Sequence, residues 1–153
     1  MNTDELINYF EKKYNKKTNE FNDNEWNGIF RFEYLTEEFI EKYENKVSWG
    51  FISLYQKLSE KFIEKYQNKV DWCWISYYQN LSEEFIEKFK NKVSWYLISK
   101  CQNLSGEFME KYKNKINWYY ISKQNKINYL KYQVKYNIIS NSDYSKEILK
   151  IIH

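Results

Sequence analysis

The chain has 153 residues and a net charge of +3, and 21% of its residues are aromatic. This length suits one domain, and so mild a positive charge gives no strong indication of binding to nucleic acid or to a membrane surface. Two cysteines and one histidine, His153 at the last position, cannot form an ordinary structural zinc site, so we expect no metal and no other cofactor. The N-terminus lacks a basic-then-apolar signal pattern and no apolar run approaches a membrane span, which predicts an intracellular, cytoplasmic protein.

A repeat of 23 residues dominates the sequence. The same interval separates the leucine that opens each copy and the tryptophan near its middle: Leu35, Leu58, Leu81 and Leu104, and Trp26, Trp49, Trp72, Trp95 and Trp118. A fixed period of this size is typical of stacked repeat proteins. We therefore predict an all-α fold, a short α-solenoid of about five two-helix repeats with a C-terminal helical cap, and the sequence leaves its handedness open.

The first half of each copy predicts a short helix, as the copy from Leu58 to Asn80 illustrates. Ser59 precedes an acidic residue and is expected to cap the helix N-terminus. The apolar residues of the segment 62–66 share one helix face. We expect Asn68 to end the helix in the left-handed conformation that asparagine tolerates.

The second half of each copy predicts another helix. Asp71 is the expected N-cap, and the helix should run from Trp72 to about Gln79. Trp72, Ile75 and Tyr78 form an apolar stripe, and the recurrence of the tryptophan in every copy favours a place in the core over a surface for stacking a ligand. Helices this short are marginal alone, so each copy needs its neighbours.

In chain order, residues 1–34 form a degenerate first repeat, residues 35–126 four helix pairs, and residues 127–153 the cap. The first copy carries a polar insert within Glu11–Asp23, which either lengthens its first helix or forms a loop. In the last copy Gly106 replaces an acidic residue inside a helix, at a cost of up to ~1 kcal/mol. Gln124 comes one residue early relative to Gln102, and a break is expected at residues 141–143, before a last helix.

Polar residues recur in the second helices: Ser53, Ser76, Ser99 and Ser122, with Gln56, Gln79 and Gln102. Two interpretations are open. They contact a ligand, or they form a ladder of hydrogen bonds between adjacent repeats.

The string LSEEFIEKFKNKVSWYLIS, from Leu81 to Ser99, resembles repeats of uncharacterised proteins of large DNA viruses and phages. The resemblance covers Leu35 to about Ser122, while the insert of the first copy and the irregular ends depart from it. It implies a viral or phage origin, and with it a location in the host cell cytoplasm. It brings no established activity and no site residues.

Catalytic chemistry is not indicated by the titratable residues. Acidic residues such as Glu37, Glu83 and Glu87 stand at cap or outward positions beside lysines, and not in a pattern that predicts a cleft. The single histidine lies at the end of the chain, and the glycines are too far apart for a phosphate-binding loop. We therefore expect a protein that is not an enzyme.

Positions that vary between copies are the candidates for function. The residue after each tryptophan and the residue four positions later are expected to lie side by side on the second helix, in neighbouring rows. These rows change along the chain from small and apolar to aromatic and basic, and they give the candidate partner-binding residues Tyr77, Tyr96, Lys100, Tyr119 and Lys123.

Exposed aromatic residues at such positions favour a surface that binds a protein partner, of the host or of a virus. With the viral resemblance, this suggests an inhibitor of a host defence effector, such as a CRISPR or nucleotide-signalling nuclease. The alternatives are a nucleic-acid or nucleotide-binding module and a structural component of the virion. The sequence leaves the oligomeric state open.

Overall fold

All regular secondary structure is helical in the computed structural model, which describes residues 1–152; His153 lies outside them. The α-helices in this range are α1 (Thr3–Tyr14), α2 (Asp23–Phe32), α3 (Glu37–Lys42), α4 (Trp49–Tyr55), α5 (Glu60–Lys65), α6 (Trp72–Tyr78), α7 (Glu83–Lys88), α8 (Trp95–Cys101), α9 (Gly106–Lys111), α10 (Lys123–Lys135) and α11 (Asn141–Ile152). The predicted all-α class is confirmed, and helix pairs recur at the predicted spacing.

The chain forms two compact units, of which unit 1 is Met1–Ile75 and unit 2 begins at Ser76. The solenoid arrangement of the whole array and the division at residues 34 and 126 stay predictions.

The first helix of each regular repeat begins at its predicted hydroxyl cap. The side-chain oxygens of Ser59 and Ser105 each accept a hydrogen bond from the N–H three residues on, at 3.2 and 3.1 Å. The predicted end of this helix was wrong, because it stops at Lys65 and Asn68 does not have a positive φ. The chain continues into a further turn, in which Val70 N–H donates to Tyr66 O at 3.1 Å, so no left-handed residue is needed to reverse it.

The second helix begins at the repeated tryptophan, as predicted, and Asp71 caps α6 by accepting from the N–H groups of Cys73 and Trp74. The predicted core stripe is correct only at its centre. Ile75 is fully buried, Trp72 is half-buried and Tyr78 is 53% exposed. Since each residue advances about 100° around a helix, Trp72 and Tyr78 lie roughly 60° to either side of Ile75, at the edges of the buried face.

Burial of the repeated tryptophans falls from the first copy to the last. Trp26 is 2% exposed, Trp95 is half-buried and Trp118 is 40% exposed, so the predicted core position holds fully only for Trp26. One side of Trp95 is covered by the next repeat, where Phe108 and Tyr112 lie with ring centroids 6.2 and 5.1 Å away.

We predict that Trp26→Ala lowers the free energy of unfolding by about 3–5 kcal/mol, as truncation of a buried aromatic residue does. Trp118→Ala should cost only ~1–2 kcal/mol, because much of that side chain is already solvated. Urea unfolding followed by circular dichroism measures both. Equal losses of unfolding free energy in the two variants would contradict the difference in burial between Trp26 and Trp118.

Adjacent repeats are joined by a buried side-chain amide. In unit 1, Gln56 Nε2 donates to Phe30 O and Glu33 O at 2.9 and 2.8 Å, and Gln56 Oε1 accepts from Leu35 N–H at 3.0 Å. In unit 2, Gln102 makes the same three bonds, to Ser76 O, Gln79 O and Leu81 N–H. The amide therefore satisfies backbone groups that the end of the preceding second helix leaves unpaired.

The next amide in this series comes from Asn125 and not from Gln124. Asn125 is fully buried, donates to Ser99 O and Gln102 O, and accepts from Leu104 N–H at 2.9 Å. Of the two interpretations of the repeated glutamines, the inter-repeat ladder is therefore the one that the structure shows.

Asn125→Ala should lower the free energy of unfolding by about 2–4 kcal/mol, since it leaves buried backbone groups without partners. Gln124→Ala is the matched control. That side chain is exposed and bonds Asn128 on the same helix, so its loss should cost less than ~0.5 kcal/mol. The measurement is equilibrium unfolding in urea, and a similar small loss for both variants would refute the ladder.

Serines and glutamates add further bonds between repeats. Ser53 Oγ donates to Trp49 O and accepts from Asp71 N–H at 2.9 Å, and Ser99 does the same with Trp95 and Asn117 in unit 2. The carboxylate of Glu37 accepts from Ser59 N–H and from Ser59 Oγ.

Acidic residues of the first helices thus bind the following repeat and are not merely solvated. Glu83 repeats the Glu37 contact by accepting from Ser105 N–H and Oγ in unit 2. Glu41 pairs with Lys65 at 2.8 Å and Glu87 with Lys111 at 2.6 Å, each 24 residues away in sequence. These contacts fix the register of each repeat on its neighbour.

The first and last copies depart from the regular pair. In the first, the insert both lengthens α1 and forms a 3₁₀ helix, Thr18–Glu20, so both alternatives occur. In the last, the segment 118–120 forms only a turn, and α10 begins at Lys123. Ser122 Oγ caps α10 by accepting from Asn125 N–H at 3.1 Å, instead of accepting from a following repeat as Ser99 does. The predicted break at 141–143 is wrong, because α11 begins at Asn141, with Ser140 as its cap.

Gly106 allows α10 to pack against α9. A Cβ added to Gly106 would lie 2.8 Å from Tyr132 Cγ and 3.0 Å from Asn128 O. The regular repeats have a glutamate at this position, as at Glu83. From the sequence, Gly106 is notable only as a weak helix former. The structure shows that close packing of the cap helix α10 requires a glycine at this position.

Gly106→Ala should therefore lower the free energy of unfolding by about 2 kcal/mol or more, because the added methyl group overpacks the contact with Tyr132. Gly50→Ala is the control. An added Cβ there meets no atom within 4 Å, so the better helix propensity of alanine should raise stability by up to ~1 kcal/mol. Thermal and urea unfolding measure the stability of both variants. Stability changes of the same sign in the two variants would contradict this account.

Candidate interface on unit 2

The sequence-predicted site residues all belong to unit 2 and are exposed, but they do not lie on two equivalent helices. Tyr96 and Lys100 are on α8, one turn apart. Tyr119 is in the turn before the cap and is 84% exposed. Lys123 is the first residue of α10, so the prediction that Tyr119 and Lys123 share a helix was wrong.

A contacting group of tyrosines forms the centre of this surface. Tyr120 lies between Tyr96 and Tyr119, with edge-to-face ring contacts at centroid distances of 5.0 and 4.7 Å. Lys100 Nζ lies 5.8 Å from the centroid of the Tyr96 ring. We call Tyr96, Lys100, Tyr119 and Tyr120 the tyrosine cluster.

Tyr120 is the member that sequence reasoning missed. Its repeat position is occupied by Phe51, Trp74 and Leu97 in the other copies, and the regular pattern put it on a helix apart from the row of Tyr96. The turn at 118–120 replaces that helix and brings the ring of Tyr120 against Tyr96. The only sequence signal for its place in the cluster was that it directly follows Tyr119.

The remaining predicted residues stand outside the cluster. Tyr77, 38% exposed, makes its ring contact with Tyr78 at 4.4 Å, and within residues 1–152 no ring contact joins it to Tyr96. Lys123 is the first residue of α10, and the non-helical residues 121 and 122 separate it from the turn that contains Tyr119. The predicted patch is therefore smaller than proposed from the sequence, and it is centred on tyrosine rings.

The tyrosine cluster offers a partner an aromatic and apolar surface, with one cation, Lys100, close by. Tyrosine rings held against one another lose little further rotamer freedom when a partner binds, and each hydroxyl can still donate or accept a hydrogen bond. The ring of Tyr96 and the ammonium of Lys100 are close enough for a cation–π contact.

Titratable groups elsewhere are engaged in structural contacts. The hydrogen bond from Lys111 holds the pKa of Glu87 below its usual value, and that from Tyr129 does the same for Glu110. Burial raises the pKa of the Cys101 thiol, which disfavours the nucleophilic thiolate. Among residues 1–152, no three His, Cys, Asp or Glu side chains are grouped as metal ligands.

Over the same residues, every helix is too short or too polar to cross a bilayer. Comparisons with protein-family models, with curated proteins and with solved structures each give no match.

Proposed function

We propose that the chain is a non-enzymatic module that binds a protein partner on the tyrosine cluster. The observation that supports this is the exposure of three contacting tyrosine rings, with 39% of Tyr96, 48% of Tyr120 and 84% of Tyr119 accessible. Clustered tyrosines of this kind are enriched at the energetically dominant centres of protein interfaces.

The distribution of charge favours a protein over a nucleic acid. Nucleic-acid binding needs several cations free to contact phosphates. The tyrosine cluster contains a single cation, Lys100, and lysines elsewhere such as Lys65 and Lys111 are paired with glutamates. Binding of single-stranded nucleic acid or a nucleotide is the second candidate, because a base could stack on Tyr96 beside Lys100. The two candidates differ in their dependence on salt.

The viral and phage resemblance of the repeats supports a role directed at the host. We propose that the partner is an effector of host defence, bound and inhibited in the host cytoplasm. A structural role in the virion is the alternative, and it would place the partner among the viral proteins.

Tyr96→Ala with Tyr119→Ala should weaken binding by about 2 kcal/mol or more. The loss of unfolding free energy should stay within about 1–2 kcal/mol, because Tyr119 is 84% exposed and Tyr96, at 39%, is covered to about the same extent as Trp118. The partner is first recovered by affinity capture from host lysate, with and without nuclease treatment, and its affinity is then measured by calorimetry at two salt concentrations. Tyr136→Ala, which removes a half-exposed ring directly after the end of α10, is the control and should bind normally.

Normal binding by the double variant would refute the assignment of the cluster. Capture abolished by nuclease, with affinity falling steeply as salt rises, would favour the nucleic-acid alternative. If the double variant is destabilised, Tyr119→Ala alone carries the test, since that side chain is the most exposed of the cluster.

A further inference from the structure

Unit 1 carries a second exposed aromatic group, built around Arg31. The guanidinium carbon of Arg31 lies 5.0 Å from the ring centroid of Phe32 and 5.7 Å from that of Tyr55. Phe32 is 73% exposed and Tyr55 39%. We call Arg31, Phe32 and Tyr55 the arginine cluster.

The charge of Arg31 is not paired with a carboxylate among the residues that the structure describes. Of the ion pairs within residues 1–152, none involves Arg31. The nearest acidic residue in sequence, Glu33, is occupied by Lys13 at 2.5 Å. An exposed guanidinium beside two rings thus keeps its hydrogen-bond donors available for a partner.

Arg31 occupies the same repeat position as Lys100 of the tyrosine cluster and as Tyr77. Tyr77 follows it by two periods, 77 − 31 = 46, and Lys100 follows Tyr77 by one, 100 − 77 = 23. This position and the next contain no acidic residue in any copy: Arg31, Phe32, Leu54, Tyr55, Tyr77, Tyr78, Lys100, Cys101, Lys123 and Gln124. None of the 21 acidic residues of the chain stands at these two sequence positions, so no carboxylate there competes for the cation of Arg31 or of Lys100.

We propose that the arginine cluster is a second binding site, which takes a carboxylate from an acidic segment of a protein partner. The planar guanidinium binds a carboxylate through two parallel hydrogen bonds, a geometry that lysine cannot match. Phe32 and Tyr55 keep the guanidinium oriented and offer apolar surface to the side chains that flank the carboxylate. Arg31 is the only arginine in a chain with 23 lysines, 24 − 1, and it stands where this geometry is useful. The proposal rests on the proposed function, since it names the chemistry of the partner.

The test uses the full chain and a displayed library of random linear peptides. Peptides selected on the wild-type chain should be enriched in Asp and Glu over the unselected library. A synthetic copy of a selected peptide should then bind Arg31→Gln about tenfold more weakly or worse, and Arg31→Lys with an intermediate loss. Lys46→Gln is the matched control, because it removes one exposed positive charge from unit 1, in the turn before α4, and should bind as the wild type does.

Each other outcome decides against the proposal in a distinguishable way. Selected peptides without acidic enrichment, or with equal affinity for Arg31→Gln, overturn the arginine site; if they still lose affinity for Tyr96→Ala with Tyr119→Ala, the proposed function stands. Peptides that bind the Arg31 variants and the tyrosine double variant as tightly as they bind the wild type overturn both the arginine site and the proposed interface. A single-stranded dT20 oligonucleotide that binds in an Arg31-dependent manner and displaces the peptide would assign the site to phosphate, and overturn its assignment to a protein segment.

Discussion

The side-chain amide that joins one repeat to the next is the interaction on which each unit depends. Helices of six or seven residues are too short to be stable alone. Gln56 and Gln102 each bind two carbonyls and one N–H at the end of the preceding second helix. One buried side chain thus closes the end of a helix and attaches it to the next copy, so the stability of each copy comes from its neighbour.

This arrangement separates the positions that must repeat from those that are free to differ. Ser53 and Gln102 bond the backbone of the neighbouring copy, and any change there would affect both repeats. The outward positions of the second helices have no such constraint within a unit. Aromatic rings and cations stand at several of these positions, as at Tyr96 and Arg31, and the candidate interfaces lie there.

Periodicity in the sequence predicted what depends on local pattern: the order of the helices, their hydroxyl caps such as Ser59, and the buried row of Ile75. It failed at Trp95, whose half-burial depends on the rings of the next repeat and cannot be derived from one copy of the motif. It also failed at Asn68, which needs no positive φ because the turn after Tyr66 is held by its own hydrogen bonds. Asparagine tolerates the left-handed conformation but does not require it, so the residue type alone does not decide how the helix ends.

The end of the array also explains how the tyrosine cluster arises. No regular repeat follows Ser122 to donate an N–H to it, so its hydroxyl caps α10, and Asn125 supplies the last amide of the ladder from inside that helix. Directly before these two attachments, the second helix of the fifth copy is reduced to a turn, and that turn places Tyr120 against Tyr96. The candidate interface therefore adjoins the attachment of the cap to the last repeat, and a change that loosens the cap should disorder the cluster as well.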